Sequence, residues 1–346
     1  MEEPNLHFLD LMDARWLDFM QRQPDANIFH HPAWTRMLAT CYGFRTFALT
    51  LCASNGDIRA GIPIAESNRL LSGRRWTALP FSDHCSPLAN DAESARGLMQ
   101  SIRALANTRG APRVEVRWPE ESESARQAPA SFVLHTMRLD AGMENVAARV
   151  HHSHLRNVRI AQSHAVEIKR GIDRNAMEEF YNLHLKTRHK QGVPVQPKCY
   201  FQLLDELILQ KGLGFILLAY HEQKCLAGAV FLHWNWTLTY KYGASDESGL
   251  SVRPNHLIFW NAIQWGCANG YSLLDFGRSD MDNPGLRTFK NRWGASETPL
   301  CYTEFPPVTH PHRSAGIFKN IVQTVIRNTP LEVCKLGGQL YYRYLS

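Results

Sequence analysis

The side chains with the clearest capacity for chemistry lie together in the stretch YSLLDFGRSDMDNPGLRTFKNRWG. Its apolar beginning predicts a buried strand that ends at Gly277. The polar residues that follow predict a loop, and the spacing of Leu286, Phe289 and Trp293 predicts a short helix that carries Lys290 beside its apolar stripe. Enzymes of the α/β class usually place their chemistry where a strand opens into a polar loop. We therefore expect the functional site in this stretch.

A second pair of chemically capable residues follows a predicted strand in the first half of the chain. Asp83 and His84 lie in LPFSDHCSPL, after the predicted strand 76–81. A histidine titrates near neutrality and a carboxylate can orient it, so the pair could transfer a proton or bind an acceptor. The alternative is a loop turn with an exposed histidine. Asp275, inside an apolar strand, is expected to have a partner because an unpaired buried carboxylate is costly.

Four histidines on one predicted helix resemble a metal site at first sight. His151 and His152 are adjacent and point apart on a helix, and no carboxylate or cysteine completes a ligand set with His154 and His164. We therefore predict a solvated basic helix and no metal. The eight cysteines are spread singly without a C-x-x-C pair, which argues against a zinc ribbon, a redox motif or a disulfide scaffold.

Length and composition favour two domains. The chain has 346 residues, of which 44% are hydrophobic, so it can bury two sizeable cores. The net charge of +6 is compatible with an anionic ligand. Neither the acidic beginning nor any later stretch has the length of a membrane span. We expect a cytoplasmic protein with reduced thiols.

The two halves of the chain share an order of elements. Each contains a predicted hairpin, at 44–65 and 215–234, followed later by a long helix and another strand. Aligning the hairpins without a gap pairs Ala60 and Gly61 with Ala227 and Gly228. The pattern predicts an internal repeat of one α/β unit. The predicted domains are 1–140 and 141–305, followed by a helical tail over 306–346.

The order in the second half is strand, two helices, three-stranded meander, helix, strand, helix, strand. It is the order of the GNAT acyltransferase fold, in which two parallel strands splay apart around an acyl donor. Here these strands are predicted at 237–243 and 271–276. The predicted fold class is α/β (α+β), with tandem GNAT-like domains, each a mixed twisted sheet flanked by helices, plus the tail.

Three segments resemble the Fem-type aminoacyltransferases and their Fem-like GNAT relatives from polysaccharide gene clusters. They are LDFGRSD…NPGLRTFKNRWG, YKYGASDESGLSVRPNHLIFWNAIQWGCANGY and RNVRIAQSHAVEI. The resemblance implies two GNAT-like domains and transfer of an amino acid from aminoacyl-tRNA to the amine of a peptidoglycan precursor. Its most specific part, Phe289-Lys290, implies that Lys290 lies beside the reacting ester. No heptad run matches the coiled-coil arm of many Fem proteins.

Acyl transfer to an amine needs a positive or hydrogen-bonding group where the oxyanion develops, and Lys290 could supply it as a fixed ammonium. The alternative is a solvated lysine on a surface helix. Arg278 could bind phosphate or carboxylate, or could tie the loop to a neighbouring aspartate. Ser279 and Phe289 complete the predicted substrate-binding group of this stretch. Tyr242 could belong to an aromatic wall, or to a half-buried sheet.

The donor is predicted from the turn before the central helix. A site for acetyl-CoA has a glycine-rich turn whose amides hold the pyrophosphate, whereas SGLSVRPN has one glycine, which disfavours CoA. Arg253 and Asn255 could still bind phosphate at the helix N-terminus, and Arg156 and Arg159 could contact the tRNA backbone. The tail, with Ile317, Ile321, Val325 and Ile326 among basic residues, could touch a membrane or dock onto its own domain.

The predicted function is amide formation by aminoacyl transfer from aminoacyl-tRNA, with no bound cofactor, to an amine of a cell-envelope or small-molecule acceptor that could be lipid-linked. One alternative is an N-acyltransferase that uses acyl-CoA and acts on an amino sugar or lipid-linked saccharide. Another is a GNAT-fold scaffold in polysaccharide assembly without catalysis. The sequence predicts a cytoplasmic location, with peripheral contact to the inner face of the membrane as an option.

Overall fold

The computed structural model describes residues 6–69, 73–119, 130, 132–306, 324, 326–329 and 342. The described chain divides into two compact units. The first contains residues 6–133 and 299–306, and the second contains residues 134–298 with the described residues between 324 and 342. The predicted tail residues Ile317, Ile321 and Val325 lie outside the described part of the chain.

The first unit is a mixed sheet with helices. Its described strands follow the order β1-β2-β3-β4-β6-β14, and β5 pairs with β3. The strands are β1 (Leu6–Leu9), β2 (Arg45–Cys52), β3 (Ile58–Arg69), β4 (Gly73–Thr77), β5 (Leu88–Ala89), β6 (Arg113–Val116) and β14 (Thr303–Phe305). The helices are α1 (Ala14–Arg22), α2 (Pro32–Tyr42) and α3 (Ala92–Ala106).

Local sequence signals fix two elements of the first unit as predicted. Pro32 occupies the first turn of α2, where a missing N–H costs no hydrogen bond, and Gly43 ends the helix with a φ of 73°. Strands β2 and β3 pair as an antiparallel hairpin. Gly56 adopts a φ of 91° in its turn, a conformation that favours glycine.

The second unit is also a mixed sheet with helices. Its described strands follow the order β13-β7-β12-β11-β10-β9-β8. The strands are β7 (Phe132–Arg138), β8 (Glu167–Gly171), β9 (Gly214–His221), β10 (Lys224–Trp234), β11 (Thr237–Ser245), β12 (Leu273–Asp280) and β13 (Ser296–Leu300). The helices are α4 (Met143–Arg149), α5 (His152–Ser163), α6 (Arg174–Gln191), α7 (Lys198–Leu207), α8 (Pro254–Ala268) and α9 (Pro284–Asn291).

The two sheets repeat one topology. In the first, β1 to β4 are antiparallel neighbours and β4 is parallel to β6; in the second, β8 to β11 are antiparallel neighbours and β11 is parallel to β12. A helix precedes the parallel strand in both cases, α3 before β6 and α8 before β12. The predicted repeat and the tandem GNAT-like fold class are therefore confirmed.

The next strand in each sheet comes from an unexpected part of the chain. Strand β14, which follows the second unit in sequence, pairs with β6 of the first sheet. Strand β7, which precedes the rest of the second unit, lies beside β12. The predicted boundary at residue 140 thus lies after β7, whereas the contacts of the described chain change unit between Val133 and Leu134.

Two predicted element boundaries are wrong. The single helix predicted from 144 to 164 is two helices, because His151 interrupts it and caps α5 by accepting a hydrogen bond from the Ser153 amide. The strand predicted to end at Gly277 continues to Asp280. Gly277 has a φ of 70° within the strand, so it redirects the chain without ending the strand.

The parallel strands β11 and β12 separate after a short paired region. Their pairs run from Thr237 opposite Leu273 to Thr239 opposite Asp275, and both strands continue beyond the last pair. The apolar face beneath them contains Phe231, Phe259, Phe276 and Trp293, all at most 5% exposed. This rigid base supports the gap that opens between the separated strand ends.

Candidate functional site

A cavity of about 250 Å³ lies at the separated end of β11. It is bordered by α6, by the end of β11, by the first turn of α8 and by Phe289 of α9. The lining residues are Thr187, Gln191, Tyr240, Gly243, Ala244, Ser245, Leu250, Arg253, Pro254, Asn255, His256, Phe259 and Phe289. The cavity therefore includes the predicted residues Arg253, Asn255 and Phe289.

The N-terminus of α8 faces this cavity with a strained residue. Arg253 has a φ of 56°, is exposed, and immediately precedes Pro254 at the first helical position. A non-glycine residue in the left-handed region costs free energy, and such strain is concentrated at functional sites. The positive end of the α8 dipole and the Arg253 guanidinium together favour an anion here.

Backbone amides that a phosphate-binding loop would offer to its ligand are already hydrogen-bonded within the turn before α8. Residues Glu247–Val252 form a 3-10 helix. The Ser248 amide donates to the Asp246 carboxylate at 3.0 Å, and the Gly249 amide donates to the Asp246 carbonyl at 3.2 Å. The hydroxyl and the amide of Ser248 hold the pKa of Asp246 down at about 2, and its carboxylate lies 3.5 Å from Nζ of both Lys186 and Lys224.

Gly249 has a packing role. A Cβ atom on this residue would lie 2.7 Å from Cβ of Leu226, which is closer than real Cβ contacts. The single glycine of the turn is thus required by its neighbour in the sheet, a reason unrelated to phosphate binding.

Lys290 is buried, and the alternative of a solvated surface lysine is wrong. Its side chain is 3% exposed, and Nζ donates to the carbonyl oxygens of Gly277 at 3.0 Å and of Arg278 at 2.9 Å. A buried ammonium is tolerated only when hydrogen-bonded in this way. Lys290 therefore fastens α9 to the redirected part of β12.

Asp275 and Ser279 lie on the same strand as those carbonyls. Asp275 is 1% exposed, and its carboxylate accepts a 2.7 Å hydrogen bond from the Gly277 amide, so the expected partner exists. Ser279 is 2% exposed, and its hydroxyl has no hydrogen-bond partner within the described chain. Arg278 is half-buried. Leu286, expected on the apolar stripe, is instead 38% exposed.

Two histidines near the cavity were not predicted as site residues. His256 lines the cavity, and its Nε2 lies 3.1 Å from Nδ2 of Asn157 on α5. Burial, with smaller contributions from His154 and Arg253, lowers the pKa of His256 to about 3, so its imidazole is neutral. His154 Nε2 lies 3.0 Å from the Phe289 carbonyl. Both histidines lie far in sequence from Phe289 and Lys290, so the sequence did not indicate that they are near this site.

The second unit is similar to a known domain family. Residues 151–291 match the family model of an acetyltransferase (GNAT) domain. The crystal structure of FemX superimposes with a TM-score of 0.66 at 12% identity, covering 87% of this chain and 97% of that one. The second unit thus matches a GNAT domain over these residues, and the chain has a fold similar to that of FemX.

Two further matches define the extent of this likeness. A stretch of 99 residues is 29% identical to the lipid II:glycine glycyltransferase of Staphylococcus saprophyticus, and it covers 27% of this chain but only 22% of that relative. A tandem GNAT protein from the clavulanic acid biosynthesis pathway superimposes with a TM-score of 0.50 at 10% identity, covering 88% of this chain and all of that one, 100%. These structural matches concern the fold alone.

The remaining predicted site residues lie around the cavity or away from it. Arg156 and Arg159 are exposed on α5, beside Asn157, which contacts His256. Tyr242 is not among the cavity residues; its hydroxyl lies 2.8 Å from that of Tyr200. Tyr240 lines the cavity instead.

Asp83 and His84 belong to the first unit, whereas the cavity belongs to the second. The Asp83 carbonyl accepts a 2.6 Å hydrogen bond from the Tyr302 hydroxyl. The His84 ring lies 6.1 Å from Phe29 and 6.0 Å from Trp118, and the residue is half-buried. Packing against aromatic rings accounts for its position.

The described residues contain no cluster of histidine, cysteine, aspartate or glutamate that could hold a metal ion. None of their helices is long and apolar enough to cross a membrane.

Proposed function

We propose that this protein forms amide bonds by moving an aminoacyl group from aminoacyl-tRNA to an amine of a cell-envelope acceptor. The observation that carries the proposal is the cavity at the end of β11 that has separated from β12, bordered by Arg253, the N-terminus of α8 and Phe289 of α9. Such a gap accommodates an extended acyl ester, and the cationic end of a helix accommodates a phosphate.

The state of the preceding turn supports tRNA over CoA as the donor. The Ser248 and Gly249 amides are engaged by Asp246, and Gly249 is committed to packing against Leu226. A pyrophosphate would therefore find these two N–H donors already occupied. The exposed Arg156 and Arg159, on the helix that contacts His256, offer phosphate contacts outside the cavity.

The reaction requires a neutral amine that attacks the ester carbonyl. A carbon–nitrogen bond forms, the ester carbon–oxygen bond breaks, and the amine proton leaves with the ribose hydroxyl of the tRNA. We assign to Lys290 the task of holding the Gly277 and Arg278 carbonyls and of placing a positive charge beside the gap, where it stabilises the developing oxyanion. The hydroxyl of Ser279 is a second candidate donor.

The acceptor is proposed from the relative that transfers glycine to lipid II. A lipid-linked amine of this kind would bring the protein to a membrane surface to work. The proposed class is thus an amine on a lipid-linked cell-envelope precursor.

The decisive experiment compares donors. Purified protein is titrated with acetyl-CoA by calorimetry at low salt and, in parallel, incubated with radiolabelled aminoacyl-tRNA and a lipid-linked peptide amine. We expect no acetyl-CoA binding and transfer of label to the acceptor. Saturable micromolar binding of acetyl-CoA that Arg253→Ala abolishes would replace this proposal with an N-acyltransferase that uses acyl-CoA.

A further inference from the structure

The end of α6 is held by residues from the C-terminal part of the chain. Arg327 Nε donates to the Lys190 carbonyl at 3.2 Å, and its terminal nitrogen donates to the Gln191 carbonyl at 3.3 Å. The last carbonyls of a helix have no partner within the helix, and the helix dipole makes this end negative. Arg327 therefore satisfies two such carbonyls and places a cation at the favourable end.

Tyr342 and Thr329 hold the same end of the helix. The Tyr342 hydroxyl accepts a 3.1 Å hydrogen bond from Arg188 and donates at 2.9 Å to the Pro194 carbonyl. The Thr329 carbonyl lies 2.8 Å from Nε2 of His189. Tyr342 is 8% exposed, so these bonds are largely shielded from water.

The held end of α6 is itself part of the cavity. Thr187 and Gln191 both line it. Thr187 Oγ1 donates to the Ser245 carbonyl at 3.3 Å and accepts from the Ser245 amide at 3.1 Å. Ser245 is the last residue of β11 and another lining residue. A continuous set of hydrogen bonds thus joins the C-terminal residues to one wall of the cavity.

We propose that Arg327 and Tyr342 are positioning residues for the donor cavity, which they shape by fixing the last turn of α6. This inference rests on the proposed function for the identity of the donor. It gives the C-terminal part of the chain a task on its own domain, whereas a membrane anchor would leave the α6 carbonyls to water.

The test uses the full chain with Arg327→Ala and Tyr342→Phe, and with Arg174→Ala as the matched control. Arg174 is exposed at the opposite end of α6 and contacts Glu178 at 3.9 Å. Hydrogen exchange is measured at the Gly192, Val193 and Ser245 amides. We expect exchange about ten-fold faster in both variants, because a hydrogen bond of ordinary strength has been removed, and no change in the control.

Steady-state kinetics of aminoacyl transfer then distinguish a positioning role of Arg327 and Tyr342 from a general loss of stability. We expect the KM for aminoacyl-tRNA to rise about three- to ten-fold, with kcat and the KM for the acceptor within about two-fold of wild type. Unchanged exchange at Ser245, or a fall in kcat alone, would overturn the inference. If the proposed function is wrong, the wild-type protein transfers no aminoacyl group. The exchange result still decides whether Arg327 and Tyr342 hold the last turn of α6.

Discussion

Lys290 Nζ lies 3.0 Å from the carbonyl oxygen of Gly277, the residue at which β12 turns through a positive φ. Glycine permits the redirected backbone, and the ammonium satisfies the carbonyl that this redirection leaves buried. The second bond, to Arg278, extends the same support by one residue. Gly277 and Lys290 together fix the direction in which β12 continues beyond its pairing with β11.

Replacing Lys290 should therefore affect both stability and transfer. Lys290→Met keeps the length of the side chain but leaves two carbonyls without this donor, which should lower the free energy of unfolding by about 2–4 kcal/mol. Loss of the positive charge beside the gap should lower kcat by at least about 100-fold. Urea unfolding and transfer assays measure the two effects.

The control for this variant is Arg292→Met, since Arg292 is exposed just beyond the end of α9. It should leave both quantities near wild type. Wild-type transfer by folded Lys290→Met would remove the lysine from the mechanism, whereas no transfer by the wild-type protein itself would favour the scaffold alternative.

Gly249 offers a separate test of the turn before α8. Gly249→Ala places a Cβ atom 2.7 Å from Leu226, and such overpacking should destabilise the fold by about 1–3 kcal/mol. Gly285→Ala is the matched control, because its nearest neighbour would lie 3.9 Å away and it sits in α9. That control should keep or raise stability, by up to about 1 kcal/mol. Equal thermal melting of the two variants would contradict a packing role for Gly249.

Much of the fold could be predicted because its signals are local. The proline in the first turn of α2 and the Asn-Gly turn between β2 and β3 act on neighbouring residues alone. The meander, the central helix and the following strand also appear in the predicted order. What local signals could not give is the pairing of β14 with β6 and the position of β7 beside β12, since these contacts join distant parts of the sequence.

The sequence predicted a candidate site, and the structure adds contacts that the sequence did not indicate. The stretch around Phe289 and Lys290 predicted a strand, a loop and a short helix, and the structure has β12 and α9 there, with Phe289 lining the cavity. The burial of Lys290 was missed because the residue type favours exposure, and only the geometry of β12 supplies the carbonyls that overcome this preference. His256 was missed because its contact with Asn157 crosses two helices.

The salt dependence of tRNA binding should show whether the basic helix α5 contacts the tRNA. If Arg156 and Arg159 contact tRNA phosphates, each alanine variant should weaken tRNA binding and reduce the slope of log K against log salt by about one unit. Filter binding over a range of salt concentrations measures the slope. Arg174→Ala on α6 serves as the control and should keep the wild-type slope. An unchanged slope in a variant that carries both Arg156→Ala and Arg159→Ala would exclude α5 from the tRNA interface.

The stability of the second unit should fall in acid because His184 is buried in its neutral form. Burial and the nearby Arg188 lower the pKa of His184 to about 3, while the hydrogen bond that His184 Nε2 donates to Gln196 Oε1 opposes the shift. Because the folded pKa lies below the unfolded value, the stabilisation is complete above pH 6.5 and is lost as the pH falls towards 3. One such group contributes a slope of about 1.4 kcal/mol per pH unit in this window.

His184→Phe tests this titration directly. The ring should fit, since His184 stacks on Phe180 at 5.7 Å and contacts Phe201 at 5.0 Å. The variant should be less stable than wild type at pH 7, by about 1–3 kcal/mol, because Gln196 loses its partner. Between pH 6.5 and 4.5 its unfolding free energy should fall less steeply than that of wild type, by the slope of one proton. Urea unfolding at several pH values gives both slopes, with His164→Gln as the exposed control. Parallel curves for His184→Phe and wild type would show that another group drives the acid loss of stability.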